Sequence, residues 1–222
     1  MKYFIITKKQ ALWTLSTLVA VIAATAFSIS VFAGQSRKLP IYNVKNEDKK
    51  IAISFDAAWG NDDTGNLIDI LAKYKVKATF FVVGGWVDKY PESVKQLADA
   101  GHQIQNHSNT HPHMPKLSGE KMIEELKTCN EKIARISGQT PTLFRCPYGD
   151  YNNATVEAVE SLDMYTIQWD VDSRDWMEGH TADRITNDVV ANVKDGSIVL
   201  FHNDAKHTPE ALPGILEQLS AK

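Results

Sequence analysis

From residue 51 to the C-terminus, short runs rich in β-branched and aromatic residues alternate with stretches whose apolar positions recur every three to four residues. The runs IAISFD (51–56), ATFFVVG (78–84), QIQNHS (103–108), TLFRCP (142–147), YTIQWDV (165–171) and SIVLFH (197–202) predict six strands. Each is followed by a helical pattern: TGNLIDILAKYKV, PESVKQLADAG, residues 118–137, residues near 152–161, TADRITNDVVANVK and PEALPGILEQLSAK. Pro91 opens the second helix and Gly101 ends it, the positions these residues favour. In 118–137, Met122, Ile123, Leu126, Cys129, Ile133 and Ile136 share one face. Cys129 therefore reads as a buried thiol rather than a bridge partner. Cys146 lies in a different kind of element, and nothing has the spacing of a cysteine zinc site. Six β–α units in series predict an α/β fold, with a parallel sheet and helices outside, closed into a barrel or open and doubly wound. No glycine-rich phosphate fingerprint follows any strand, which counts against a dinucleotide-binding sheet.

The first 34 residues are a different material. MKYFIITKKQ is basic, and Ala11–Gly34 then carries no charge. About 20 apolar residues span a bilayer, whereas the apolar core of a secretory signal is about 7–15. Residues 1–34 are thus expected to form one N-terminal apolar helix, a signal-anchor or signal peptide. Its length favours an uncleaved anchor in the cell membrane, single-pass, with lysines 2, 8 and 9 inside and the domain outside. Val31-Phe32-Ala33 offers a cleavage site, and cleavage after Ala33 would make the protein secreted. Residues 35–50 read as a polar linker and 51–222 as the folded domain. Beyond residue 34 the chain has 21 basic and 27 acidic side chains, a net charge of -6. An acidic domain without a Lys/Arg stripe argues against nucleic acid as a partner.

Unusual polar residues gather at the C-terminal ends of the predicted strands: Asp56 on the first, His107 on the third, Arg145 on the fourth, Asp170 and Asp172 on the fifth, and His202 on the sixth. In parallel α/β barrels catalytic groups come from that rim. QNHSNTHPH (105–113) places His107 and His111 four apart, so a single helical turn would aim both at one point. Neutral imidazoles suit zinc, cobalt or nickel.

The ordered set SFDAAWG (54–60), HSNTH (107–111), RCPYG (145–149), DSRDW (172–176) and LFH (200–202) resembles the five motifs of the NodB-type polysaccharide deacetylases, carbohydrate esterase family 4. The resemblance covers about residues 51–219. It implies a distorted (β/α) barrel and a metal-dependent N-deacetylase of chitin-like chains or peptidoglycan. By the same resemblance Asp56 is the catalytic base, His107 and His111 are metal ligands, and Arg145 orients the base. Asp175 and Trp176 support the catalytic acid, His202, and a backbone amide at Tyr148 helps stabilise the oxyanion. There are two departures. The family usually reads T-F-D-D-G, its second aspartate ligating the metal; here that position is Ala57, so the ion is expected to be held weakly. The FDAAWG variant is similar to a branch associated with endospore-forming bacteria, which suggests sporulation. The family also usually carries a further strand after the last helix, where this chain stops at Lys222, which leaves open a truncated sequence or a different closure.

Amide hydrolysis needs an activated water, a polarised carbonyl and a proton for the leaving amine, and a zinc-like ion supplies the first two. Arg145 has the planar fork to grip Asp56 bidentately and lower its pKa. His202 needs a partner to orient its ring, and Asp175 fits. Two histidines leave an ion under-coordinated, and Asp62 or Asp63 in GNDD is a weak candidate for the third ligand. His113 reads as a bystander. Trp176 reads as packing or as a wall of the acid's pocket, and Trp59 and Trp86 as sugar-stacking or packing residues. Two alternatives stay open: a degenerate deacetylase-like domain that binds glycan without turnover, and an O-acetyl esterase.

Overall fold

The structure, a computed structural model, describes residues 7–9, 13–19, 21–22, 36–45 and 48–221. Two compact units divide at Arg37 and Lys38. In the first, residues 13–19 are helical. The rest of the expected N-terminal apolar helix lies largely outside the described residues. Among the described residues, no helix is long and apolar enough to cross a membrane.

The second unit runs β1 (Ala52–Ala57), α1 (Thr64–Lys73), β2 (Thr79–Val82), α2 (Gly84–Lys89), α3 (Pro91–Asp99), β3 (Gln103–Asn106), α4 (Gly119–Ser137), β4 (Leu143–Phe144), α5 (Asn153–Glu160), β5 (Tyr165–Thr166), β6 (Val171–Asp172), α6 (Ala182–Asn192), β7 (Ile198–His202) and α7 (Thr208–Ser220). All seven strands are parallel, in the order β5-β4-β3-β2-β1-β7-β6. The sheet curls but does not close by pairing, because β5 and β6 are its two edges. Residues read from sequence as linker meet both sides of this opening. Ile41 bridges to Ile167 beyond β5, and Asn43 to Ser197 before β7.

The period-2 geometry of the strands decides what faces where. Ile53, Phe55 and Ala57 join the main apolar cluster with α1, α6 and α7 residues such as Leu67, Ile185 and Leu212. Phe55 stacks between Phe80, 4.8 Å away, and Phe201, 5.5 Å away. Each fully buried ring of this kind contributes about 1.5–3 kcal/mol. Ser54 and Asp56 alternate with them. Helix α4 begins where the Ser118 hydroxyl accepts the Lys121 N–H, and ends at Gly138, whose φ of 71° is left-handed. Its expected face is the buried one: Met122, Leu126, Cys129 and Ile133 are buried. Both cysteines are free and buried.

Two sequence expectations need correction here. YTIQWDV is not one strand. Its ends form β5 and β6 on opposite edges of the sheet, and the chain between them crosses the opening. Asp170 therefore does not sit on the C-terminal rim. Its carboxylate accepts from the Ile198 N–H (2.9 Å) and the Ser197 hydroxyl (3.1 Å) at the start of β7. Helix α2 is additional: GGWVDK carries two glycines and lacks a long apolar period.

Candidate active site

Parallel pairing of β1 with β7 sets Asp56 beside His202. Both stand at the C-terminal ends of their strands. Arg145 follows β4 and is wholly buried. A buried guanidinium needs partners in place of water. Its Nη1 donates to Asp56 Oδ1 at 2.8 Å. Its Nη2 donates to Ser54 Oγ at 2.9 Å and to the Gln168 carbonyl at 3.2 Å. The guanidinium lies 4.1 Å over the Phe81 ring. The expected two-pronged grip on the carboxylate is thus replaced by one arm on Asp56 and one on Ser54. Ser54 shares the Asp56 face of β1, and its hydroxyl donates to the Val199 carbonyl (2.7 Å). Burial alone would raise the Asp56 pKa; the fields of His107, Arg145 and His202 and the Arg145 hydrogen bond hold it below the ordinary value.

His107 Nδ1 lies 2.8 Å from the Arg145 carbonyl. A carbonyl only accepts, so Nδ1 carries the proton and Nε2 is left as a lone pair. That Nε2 is 3.5 Å from Asp56 Oδ2. His111 does not reach the same place through a helical turn. Ser108 and His111 have left-handed φ values of 68° and 61°. The loop is pinned by the Ser108 N–H to Asn106 Oδ1 (2.7 Å) and the His111 N–H to Ser108 Oγ (3.0 Å). Glu125 Oε2 accepts the N–H groups of Asn109 and Thr110. The two imidazole centroids end 5.0 Å apart. Burial pushes the His107 pKa down, and burial with the neighbouring His107 takes His111 to about 4, so both rings are neutral donors of a lone pair.

Among the described residues, no carboxylate completes the pair. Ala57 is buried in the apolar cluster on the helix side of β1. Asp62 is exposed. Asp63 turns the other way and accepts the Asp204 N–H at 2.9 Å, in the loop between β7 and α7. Burial and the facing Asp204 and Asp175 charges raise its pKa to about 6. Neither acid takes up the weak third-ligand role. Among the described residues, no group of three His, Cys, Asp or Glu side chains is arranged to hold a metal ion. Two neutral imidazoles, His107 with its tautomer fixed, fit a loosely held cation, short of the three protein ligands of an ordinary catalytic zinc site.

On the other side of the rim both Asp175 oxygens have partners. His202 Nδ1 meets Asp175 Oδ1 at 2.8 Å, and the His202 N–H donates to Asp175 Oδ2 at 2.8 Å. The Thr208 hydroxyl, on the first residue of α7, donates to the same Oδ2 at 2.6 Å. Burial would lower the His202 pKa, but the Asp175 hydrogen bond and charge, with Asp56 and Asp172 beyond, raise it. The proton on Nδ1 leaves Nε2 as the atom available for transfer.

A cavity of about 480 Å³ is lined by Asp56, His107, His111 and His202, with Trp59, Tyr148, Trp169, Asp172, Trp176 and Leu200 among its walls. Trp59 is 57% exposed and lies 5.7 Å from the His111 ring and 6.3 Å from His202. Trp86 is a core residue, 2% exposed, its Nε1 donating to the Gly60 carbonyl. Tyr148 is exposed, with φ 60°, and stacks on His113 at 4.3 Å. His113, read as a bystander, pairs with Asp150 at 3.0 Å and so braces Tyr148. Gly149 has φ 65°, and a Cβ there would meet the Trp169 ring at 3.1 Å. Sequence reasoning gave no individual role to Ser54, Trp169, Leu200 or Thr208, although Ser54 and Leu200 stand in the quoted motifs. Trp169 and Ser54 had a usable signal, two-residue spacing from other inward positions; Thr208 had none beyond opening a helix.

The profile of the polysaccharide deacetylase family matches residues 43–167. The uncharacterized protein YlxY of Bacillus subtilis (strain 168) is 33% identical over 183 residues, 82% of this chain and 57% of that protein. A peptidoglycan-N-acetylglucosamine deacetylase of Bacillus cereus is 33% identical over 177 residues, 78% of this chain and 64% of that one. The chain thus spans less than two thirds of either relative. Among solved structures, wild-type BA3943 from Bacillus anthracis, described as a CE4 family pseudoenzyme, superimposes with a TM-score of 0.78 at 33% identity, covering 82% of this chain and 64% of that one. A BA3943 mutant described as having restored enzymatic activity gives 0.79 at 34%, covering 82% of this chain and 66% of that one.

Proposed function

The chain belongs to the polysaccharide deacetylase family, and from that premise we propose that it hydrolyses N-acetyl groups from cell-wall polysaccharide, peptidoglycan or a chitin-like chain. The observation that carries the reading is the side-by-side pair of Asp56 and His202, each with its own orienting partner. Asp56, kept ionised by Arg145, takes a proton from the attacking water. His202 delivers a proton from Nε2 to the departing nitrogen while Asp175 holds Nδ1–H. Tyr148, Trp59 and Trp176 offer exposed aromatic surface to the sugar rings at the mouth of the cavity. His107 and His111 are the residues that would hold a divalent cation, zinc or, by the same imidazole preference, cobalt or nickel. When bound, such a cation lowers the pKa of a water and polarises a carbonyl.

The domain acts outside the cell membrane in this reading, which the basic flank and the charge-free run Ala11–Gly34 support. The FDAAWG variant supports a role in endospore-forming bacteria. A second reading, glycan binding without turnover, is favoured by Ala57 and by the likeness to BA3943. Metal analysis of the purified chain, then acetate release from N-acetylglucosamine oligomers with and without added Zn²⁺, separates the readings. Acetate from the oligomers supports deacetylation. Binding without acetate at saturating Zn²⁺ supports the second reading, and release only from O-acetyl esters refutes both.

A further inference from the structure

The acid pair is held by more than its two named members. Asp175 lies buried in the turn after β6, and each of its oxygens is committed: Oδ1 to the His202 ring, Oδ2 to the His202 N–H and the Thr208 hydroxyl. The shortest of these bonds, 2.6 Å, comes from Thr208, which is itself wholly buried. We propose that Thr208 is a positioning residue of the proton-donating pair, its hydroxyl fixing the Asp175 carboxylate so that one oxygen alone faces the imidazole and the pair can release its proton. The proposal rests on His202 being the proton donor.

The argument follows from where charge resides. With His202 protonated, the pair is neutral overall. Once Nε2 has given up its proton, Asp175 is a buried anion with no adjacent cation, and donors must then replace water. Among the described residues, the Thr208 hydroxyl is one of two donors outside the imidazole that do so. It therefore stabilises the deprotonated pair more than the protonated one, and makes proton release easier. The groups facing His202 from other elements are Asp56 on β1, Asp172 on β6, and His107 and His111 at the end of β3 and in the loop beyond. None of them touches Oδ2, so removing the hydroxyl leaves their fields in place.

The test is a histidine-ring NMR titration of the full-length chain at fixed cation content. In Thr208→Val, which keeps the shape and removes the donor, the His202–Asp175 pair should titrate about one pH unit higher than in the native chain. Thr208→Ser should titrate with the native chain, and Thr208→Cys, a weaker donor, between the two. The fall in kcat for Thr208→Val should be about tenfold, with KM unchanged and with recovery in Thr208→Ser. Native titration in Thr208→Val, or a downward shift, overturns the proposal. If Thr208→Val does not fold, indistinguishable titrations of Thr208→Ser and Thr208→Cys overturn it equally. Retained turnover in His202→Ala would instead defeat the reading of His202 as the acid, and the titration would still stand or fall by itself.

Discussion

The rim has two halves that the protein finishes to different degrees. In the proton-transfer half, Asp56, Arg145, Asp175 and His202 are buried or nearly so, and protein donors and acceptors meet each of them. In the cation half, His107 and His111 converge, but the neighbouring position on β1 is an alanine packed among apolar side chains. Keeping four ionisable groups buried costs free energy unless each is paired, and a domain that only binds glycan gains nothing from such an array. The contrast locates the weak point of the site in ion retention rather than in proton transfer.

The largest effect should follow from breaking the finished half at Arg145. Arg145→Met leaves Asp56 as a buried charge with one partner fewer, a change that typically costs about 3–5 kcal/mol. Denaturant unfolding should record a loss of that size, together with loss of acetate release. A loss below about 1 kcal/mol would mean that the pair is solvated in solution. Next comes His202→Ala, which should lower turnover about 10²-fold or more, the scale of a lost general acid. Metal content should be unchanged, because His202 bonds to Asp175 and not to the histidine pair. Loss of metal in this variant would erase the boundary between the halves.

Much of this division was legible before any coordinates. The β–α alternation, the buried face of α4 and the polar residues at the strand ends follow from period and position, which short-range sterics enforce. What stayed hidden depended on chain crossings and on backbone torsions. Tyr165–Val171 has the composition of one strand, yet its two ends pair on opposite edges, and nothing local distinguishes Asp170, at the foot of β7, from Asp172 at the rim. The left-handed torsions at Ser108 and His111 replace the expected helical turn, because Asn106, Ser108 and Glu125 supply the loop with its own hydrogen bonds. The split grip of Arg145 required knowing that Ser54 lies on the same strand face as Asp56. Thr208 is invisible in sequence because its partner is 33 residues away.

The cation half can be sharpened by Ala57→Asp. Affinity depends on ligand number and charge, so a carboxylate beside two imidazoles should tighten Zn²⁺ binding by about tenfold or more. The same change sets a carboxylate among Phe55, Val82 and their neighbours and next to Asp56, so the metal-free variant should melt below the native chain. Added Zn²⁺ should recover that loss. Calorimetry and melting curves on both forms measure the two effects. Native affinity equal to or tighter than the variant's would sink the loose-site reading.

The smallest effect is a matter of pH, and it separates the acid pair from ordinary burial. His202 and His102 are both shielded from water, at opposite ends of the strands. His202 gives Nδ1–H to a carboxylate, and its pKa is raised. His102 accepts the Ala78 N–H at Nδ1 (3.2 Å), so that nitrogen cannot carry a proton in the fold, and burial takes its pKa down to about 4. An unfolded imidazole titrates near about 6.5. The raised group therefore stabilises fully below about pH 6.5, and its contribution is lost as pH rises through the folded value. The lowered group stabilises above about pH 6.5, and its contribution is lost as pH falls from there toward 4. Asp56, with its depressed pKa, adds a further loss only below about pH 4, where an unfolded aspartate begins to protonate. His107 and His111, also lowered, deepen the acid-side loss, and Asp63, raised to about 6, opposes it. His102 is thus one contributor to the change between about pH 6.5 and 4, and His202 one contributor to the decline above about pH 6.5. In His102→Gln, whose amide oxygen still accepts from Ala78, the loss of unfolding free energy between pH 6.5 and 4, measured in denaturant, should be smaller. The decline on the alkaline side, to which His202 and Asp175 contribute, should stay as it was. An alkaline limb that vanished along with the acid one would show that the two histidines share one transition, and the acid pair would lose its claim to a separate electrostatic origin.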